Sequence, residues 1–156
     1  MNIFETRYTK LKQYLEFNNL KNKKILLTGG TGFFGIWFLS LFHYLNKNGY
    51  NIEVSVISRN PYNFLNTFPY FNKLKWLKFI KGNIKTVKVF NKDIEYIIHA
   101  ATDTSPKAHS KFLEMFNNIF YGTKNILKIA KKNNIKKMIM ISSGAIYGPI
   151  PENVKY

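Results

Sequence analysis

Eight residues, Thr28-Gly29-Gly30-Thr31-Gly32-Phe33-Phe34-Gly35, carry the strongest chemical signal in the chain. They hold two overlapping patterns: G-x-x-G-x-x-G at 29, 32 and 35, and G-x-G-x-x-G at 30, 32 and 35. An apolar run, Ile25-Leu26-Leu27, leads directly into them, and a longer apolar stretch follows from Phe33. Glycine at a strand end permits a tight turn with unusual backbone angles. Glycine at a helix start lets the backbone approach a pyrophosphate without a Cβ in the way, and a third lets the helix lie close to the sheet. The helix N-terminus then offers free N–H groups and a positive dipole end. No Gly-Lys-Ser/Thr follows, which excludes a Walker loop. No His-Arg-Asp or Asp-Phe-Gly accompanies it, which leaves a kinase loop unsupported. The predicted ligand is a dinucleotide.

A nicotinamide dinucleotide site commonly places Asp or Glu at the end of the second strand, on the ribose hydroxyls. Here that strand ends Val56-Ile57-Ser58-Arg59, and the nearby acid, Glu53, stands at its start. Ser58 and Arg59 at the ribose position suit a 2′-phosphate, so NADP is favoured over NAD.

The elements that must position these residues are legible from periodicity. Phe4, Tyr8, Leu11 and Leu15 mark one face of an N-terminal helix over 3–17, read as an extension (1–22) that docks on the main domain. Ile25–Thr28, Ile52–Ser58, Trp76–Ile80, Ile94–His99 and Met138–Ser142 read as strands. Phe33–Asn46 reads as a helix that is apolar almost all round and therefore largely buried. Residues 62–73 read as a short helix broken at Pro69. Lys107–Tyr121 and Thr123–Asn133 read as two helical stretches. Strands alternating with helices predict an α/β, Rossmann-like, doubly wound parallel sheet with helices on both faces, over 23–156. The chain stops in a loop after the fifth strand, so the domain is expected to be incomplete.

Composition bounds the alternatives. The 156 residues suffice for one domain. With no cysteine there is no disulfide, thiolate zinc site, iron–sulfur cluster or Cys nucleophile. The longest strongly apolar stretch, Phe33–Leu45, falls short of the roughly 18 residues that a membrane span needs. No signal-peptide pattern opens the chain. A cytoplasmic protein without a membrane partner is expected. The net charge is +16, but 22 of the 24 basic residues are lysine and they are scattered. Base-reading proteins lean on arginine. The charge is therefore read as a field for phosphate-bearing small molecules, with nucleic acid disfavoured. His43, His99 and His109 lie on different elements with no accompanying carboxylate cluster, so no metal is expected.

With these residues in place, the chain over 23–156 resembles the extended short-chain dehydrogenase/reductase superfamily. More narrowly, it is similar to the NAD-dependent epimerase/dehydratase family acting on nucleotide sugars. The glycine turn matches that family's dinucleotide turn. Gly82-Asn83-Ile84 falls where the family has Gly-Asp-hydrophobic beside the adenine, with Asn in place of Asp. Ile97-Ile98-His99-Ala100-Ala101 matches its His-x-Ala-Ala-like strand end. Asn118, followed by Gly122-Thr123-Lys124-Asn125, matches its Asn-bearing helix. Ser142-Ser143 to Tyr147-Gly148 matches its Ser-Ser-x-x-x-Tyr-Gly segment.

The resemblance implies roles. Asn83, Ile84, Ala100, Ala101, Thr102 and Asn118 would border the cofactor. Ser143 would be the catalytic hydroxyl that hydrogen-bonds the sugar hydroxyl being oxidised. Tyr147 would be structural, and the substrate would be a nucleotide sugar. The family's acid/base is a Tyr with a Lys four residues on. Here that spacing occurs at Tyr8–Lys12, before the first strand, and is read as accidental. The chain is therefore expected to be an N-terminal cofactor part, inactive alone, with homodimerisation left open for a full-length enzyme. The family's 4,6-dehydratases often carry Thr-Asp-Glu where this chain has Ser143-Gly144-Ala145. That lowers the dehydratase reading and leaves epimerase, reductase or decarboxylase. A non-catalytic dinucleotide sensor or structural member of the same fold stands as the alternative.

Overall fold

The computed structural model describes residues 8–10, 16–102, 111–143 and 148. Five strands form one sheet: β1 (Lys24–Thr28), β2 (Glu53–Ser58), β3 (Leu77–Lys81), β4 (Tyr96–His99) and β5 (Lys137–Met140). All pairings are parallel and the order is β3-β2-β1-β4-β5. The helices are α1 (Phe33–Lys47), α2 (Pro61–Thr67) and α3 (Phe112–Lys132). This is the expected Rossmann-like fold. Strand order reverses between β1 and β4, and ligands bind at the carboxyl edge of such a switch point.

Alternation along the buried strands builds two cores. Ile25, Leu27, Val54 and Val56 pack with Leu39, Phe42 and Leu45 of α1 and Phe64 of α2. Leu26, Ile57 and Ile97 pack on the other face with Ile126 and Ile129 of α3. Both faces of β1 are covered, so a continuous apolar run is what its position demands. Each fully buried Leu or Ile contributes about 1.5–3 kcal/mol.

Local chemistry ends the elements. Asn46 clasps the backbone of Ile52 from both sides, its Nδ2 donating to the carbonyl at 2.8 Å and its Oδ1 accepting from the N–H at 2.6 Å. That fixes the return from α1 into β2. Asn60 caps α2 by accepting from Asn63 N–H at 3.4 Å, and Pro61 takes the first helical position. Proline at 69 starts a separate 3-10 turn, Pro69–Lys73.

Three expectations are corrected. The two helical stretches on either side of Gly122 are one helix, because Gly122 serves packing there rather than termination. A Cβ at Gly122 would lie 2.5 Å from Ile84 Cδ1. Strand limits shift by one or two residues, and the fourth strand starts at Tyr96 rather than Ile94. The first two residues of α1 are exposed, Phe33 at 73% and Phe34 at 57%, because their rings project at the rim of the sheet.

Most of the expected N-terminal helix lies outside the described residues, but Tyr8–Lys10 are helical. Tyr8 is buried, and its hydroxyl donates to the Trp37 carbonyl of α1 at 2.9 Å. Burial pushes its pKa up to about 12. A phenol so held is a docking group, the opposite of a tyrosine activated as a base.

Candidate functional site

The glycine turn links β1 to α1 at the switch point, and its glycines do different things. Gly29 has φ +70°, and a Cβ on it would come 2.4 Å from the Ala100 carbonyl oxygen. Strand β4 therefore ends directly against the turn. A Cβ on Gly30 would strike Val56 Cγ1 at 2.6 Å, and one on Gly35 the Gly29 carbonyl oxygen at 2.3 Å. These two positions serve packing beneath the turn. At Gly32 the nearest atom to a Cβ is the Gly29 carbonyl oxygen at 3.4 Å. Gly32 N–H donates to that same carbonyl, and Gly32 O accepts from Ile36 to start α1. The N–H groups of Phe33, Phe34 and Gly35 belong to the first helical turn, where no intrahelical carbonyl can reach them.

A cleft of about 1010 Å³ opens at this edge. Its walls gather residues distant in sequence: Gly29, Thr31 and Gly32 from the turn, Ser58 and Arg59 after β2, and Asn83 and Ile84 after β3. Ala100, Ala101 and Thr102 follow from β4, and Asn118 projects from α3. Five other expected site residues are not wall residues. Gly30 and Gly35 lie buried below, while the rings of Phe33 and Phe34 turn outward and pack edge to face on each other at 5.4 Å. What these two residues leave unpaired at the helix start is their backbone N–H groups. Ser143 is exposed just beyond β5 and is not a wall residue of the cleft. Residues 103–110 and 144–147, which include Tyr147, lie outside the described residues.

The cleft also includes residues that sequence reasoning missed. Asn60 and Asn63 come from the cap of α2, and Lys111, Glu114, Met115 and Ile119 from the start of α3. Glu114, Met115, Asn118 and Ile119 share one helical face. Their spacing within the expected helix Lys107–Tyr121 was the signal that could have found them.

Side-chain-to-backbone bonds hold the wall after β3 and the floor. Asn125, on α3, donates through Nδ2 to the carbonyls of Ile84 at 2.8 Å and Val87 at 2.9 Å. That pins the segment after β3 to the helix. Asn83 Oδ1 accepts from Lys85 N–H at 3.0 Å, so the residue standing where the family has Asp shapes its own turn. Under the floor, Thr28 Oγ1 lies 2.6 Å from His99 Nδ1 and accepts from the N–H groups of Ala100 and Ala101, both at 3.2 Å. Burial lowers the His99 pKa.

Charge is segregated across the sheet. Glu53, Asp93 and Glu95 sit near the amino edge, paired with Lys23, Lys24 and Lys136. At the cleft stand Arg59, Lys111 and one described carboxylate, Glu114, which is 3.6 Å from Lys111. Among the described residues the cleft keeps a positive surplus, the field a diphosphate requires. No described group of three or more His, Cys, Asp or Glu side chains could hold a metal ion.

Comparison with known proteins points to one family. The model of the NAD dependent epimerase/dehydratase family matches residues 25–155. A dTDP-D-glucose 4,6-dehydratase of Dictyostelium discoideum is 36% identical over 137 residues, 81% of this chain and 30% of that protein. A UDP-glucose 4-epimerase of Rickettsia bellii is 29% identical over 133 residues, 83% of this chain and 39% of that protein. The crystal structure of UDP-glucose 4-epimerase from Bifidobacterium longum in complex with NAD+ and UDP superposes with a TM-score of 0.61 at 25% identity. That match covers 84% of this chain and 42% of the epimerase. The chain thus spans less than half the length of each of these relatives.

Proposed function

Because the chain belongs to the NAD dependent epimerase/dehydratase family, we propose that it is the dinucleotide-binding part of a nucleotide-sugar oxidoreductase. The observation that carries this reading is Gly32. It stands at the start of α1 with room for a ligand, while its companions Gly29, Gly30 and Gly35 are closed in by protein atoms. A cradle that a Cβ would fill, ringed by the free N–H groups of Phe33, Phe34 and Gly35, fits a pyrophosphate. Thr31 borders the same position. Asn83 and Ile84 would flank the adenine, and Ala100, Ala101, Thr102 and Asn118 would line the path toward the nicotinamide. When bound, the nicotinamide supplies a hydride acceptor and donor.

The second strand ends without a carboxylate, and Arg59 projects exposed at the cleft wall. Arginine pairs with phosphate through a planar fork, so this end favours NADP over NAD. Ser143 would hydrogen-bond the sugar hydroxyl that loses its proton. Gly144 and Ala145 supply no acid at the positions where the family's 4,6-dehydratases often carry them. This reading lowers water elimination and leaves epimerisation, reduction or decarboxylation of a nucleotide sugar. The same reading places the protein in the cytoplasm. No helix among the described residues is long and apolar enough to cross a membrane.

Calorimetric titration of the chain with NAD and NADP tests the proposal, with Gly32→Val as control. Heats from the wild type that vanish in the variant are expected. Equal heats from both would overturn the pyrophosphate assignment.

A further inference from the structure

His99 is buried directly beneath the cleft floor and takes no part in the function proposed above. Its surroundings fix where its proton sits. Thr28 Oγ1 accepts from Ala101 N–H and shares Ala100 N–H with its own main-chain carbonyl, each contact being 3.2 Å. A hydroxyl has one hydrogen and two lone pairs. With both lone pairs engaged, its hydrogen is left for the 2.6 Å contact to His99 Nδ1. Nδ1 must therefore accept, and the proton lies on Nε2. From there it is donated to Thr123 Oγ1 of α3 at 3.1 Å. The alternative tautomer would aim three donors at one oxygen and leave the Thr28 hydrogen unaccepted.

The direction of this chain matters because of what it holds. Ala100 and Ala101 form the cleft floor, and the Ala100 carbonyl lies against Gly29, the first glycine of the turn. The Thr28 hydroxyl thus ties the ends of β1 and β4 together at the strand-order reversal. The imidazole in turn keeps that hydroxyl oriented, and through Thr123 it registers both ends against α3. We propose that His99 is a positioning residue, whose Nε2–H tautomer orients Thr28 so that the Ala100–Ala101 backbone is held against the glycine turn. The link to ligand affinity rests on the dinucleotide reading above; the positioning of the backbone does not.

Protonation at Nδ1 would place a third donor on Thr28 Oγ1 and displace one of the two amides. The groups facing the ring are Thr28 of β1 and Thr123 of α3, and the His99 carbonyl accepts from Ile141 N–H beyond β5. No charged side chain among the described residues faces it, and burial holds it neutral to lower pH than an ordinary histidine. Dinucleotide affinity should fall as acid overcomes that burial.

Two measurements separate the outcomes. Imidazole ¹⁵N shifts of the wild type report the tautomer without any ligand, and an unprotonated Nδ1 near neutral pH is expected. A protonated Nδ1 overturns the proposal. Amide exchange at Ala101 and NADP affinity are then compared in two variants. His99→Asn keeps an acceptor for Thr28, whereas His99→Gln places its amide at the Thr123 end. Losing the oriented bond should speed Ala101 exchange and weaken NADP about tenfold in His99→Gln, with most of both retained in His99→Asn. Thr28→Ser should retain the wild-type pattern and Thr28→Val lose it, which keeps the test decisive if either His99 variant fails to fold. Equal behaviour of Thr28→Ser and Thr28→Val also overturns the proposal. The expected tautomer and exchange pattern with no binding of either NAD or NADP would leave the positioning role standing and remove the dinucleotide reading.

Discussion

Gly35, in the first turn of α1, rests directly on the backbone of Gly29: a Cβ there would stand 2.3 Å from the Gly29 carbonyl oxygen and 2.4 Å from Gly30. Backbone cannot step aside as a side chain can. Gly35→Ala should therefore destabilise the fold by about 3 kcal/mol, the upper range for overpacking. Gly32→Ala has space in the protein and should leave the melting temperature nearly unchanged while weakening NADP binding at least tenfold. Thermal denaturation and calorimetry on the two variants check the contrast. The assignment of Gly32 to the ligand fails if Gly32→Ala binds like the wild type.

Gly122 and Ile84 make a second contact that a larger side chain would break. A Cβ at 122 meets Ile84 Cδ1 at 2.5 Å and Cγ1 at 3.0 Å. Gly122→Val should cost about 1–3 kcal/mol and push Ile84 toward the cleft. Ile84→Ala in the same chain should recover part of that loss, a coupling that a double-mutant cycle measures. Additive effects would show that the two residues do not share the space.

Asn125 offers a test of the wall after β3. Its side-chain amide serves the carbonyls of Ile84 and Val87. Asn125→Ala leaves both without that donor and should cost about 1–3 kcal/mol. Asn125→Asp should cost more, since a carboxylate would face two carbonyl oxygens. Urea denaturation of both variants ranks them, and the reverse order would contradict the bonding described.

Arg59 decides cofactor preference in the present reading. Arg59→Ala should weaken NADP by about 1.5–3 kcal/mol, the range for a hydrogen bond to a charged group, and should leave NAD almost untouched. Competition titrations with the two dinucleotides give the ratio directly. A parallel loss for both would assign Arg59 to the shared pyrophosphate instead.

Glu95 supplies an acid-limb prediction. Hydrogen bonds from Lys136 and Lys23 hold its carboxyl below the ordinary 4.5. The folded state therefore binds this proton less readily than the unfolded chain. The stabilisation is complete above pH 4.5 and is lost as pH falls through the lower folded value. Glu95→Gln should flatten the melting-temperature profile as pH falls below 4.5 and change little but the baseline at pH 7. A variant with an unaltered acid slope would remove the pair from the acid response.

Period and punctuation are local properties, and they carried the element order. Ile25-Leu26-Leu27 beside three glycines announces a buried strand feeding a turn, wherever the rest of the chain goes. Ser58 and Arg59, Asn83 and Ile84, and Ala100 to Thr102 each follow a strand, and in a parallel sheet every such end reaches the same edge. That is why the turn, those segments and Asn118 meet in one cleft. Gly122 misled because a glycine in sequence reads alike whether it ends a helix or admits a neighbour. Its neighbour, Ile84, belongs to another element.

The amino-acid order by itself determined the strands, the helices and the glycine turn, since these depend on residues within a few positions of one another. The three-dimensional structure alone decided that β4 lies beside β1, that Ile84 fills the space at Gly122, and that His99 bridges two threonines. Thr28 and Thr123 stand 71 and 24 residues away from that histidine. No local periodicity records such distances. They are set by strand order and helix packing, where burial of apolar faces on both sides of one sheet brings remote polar groups within hydrogen-bonding range.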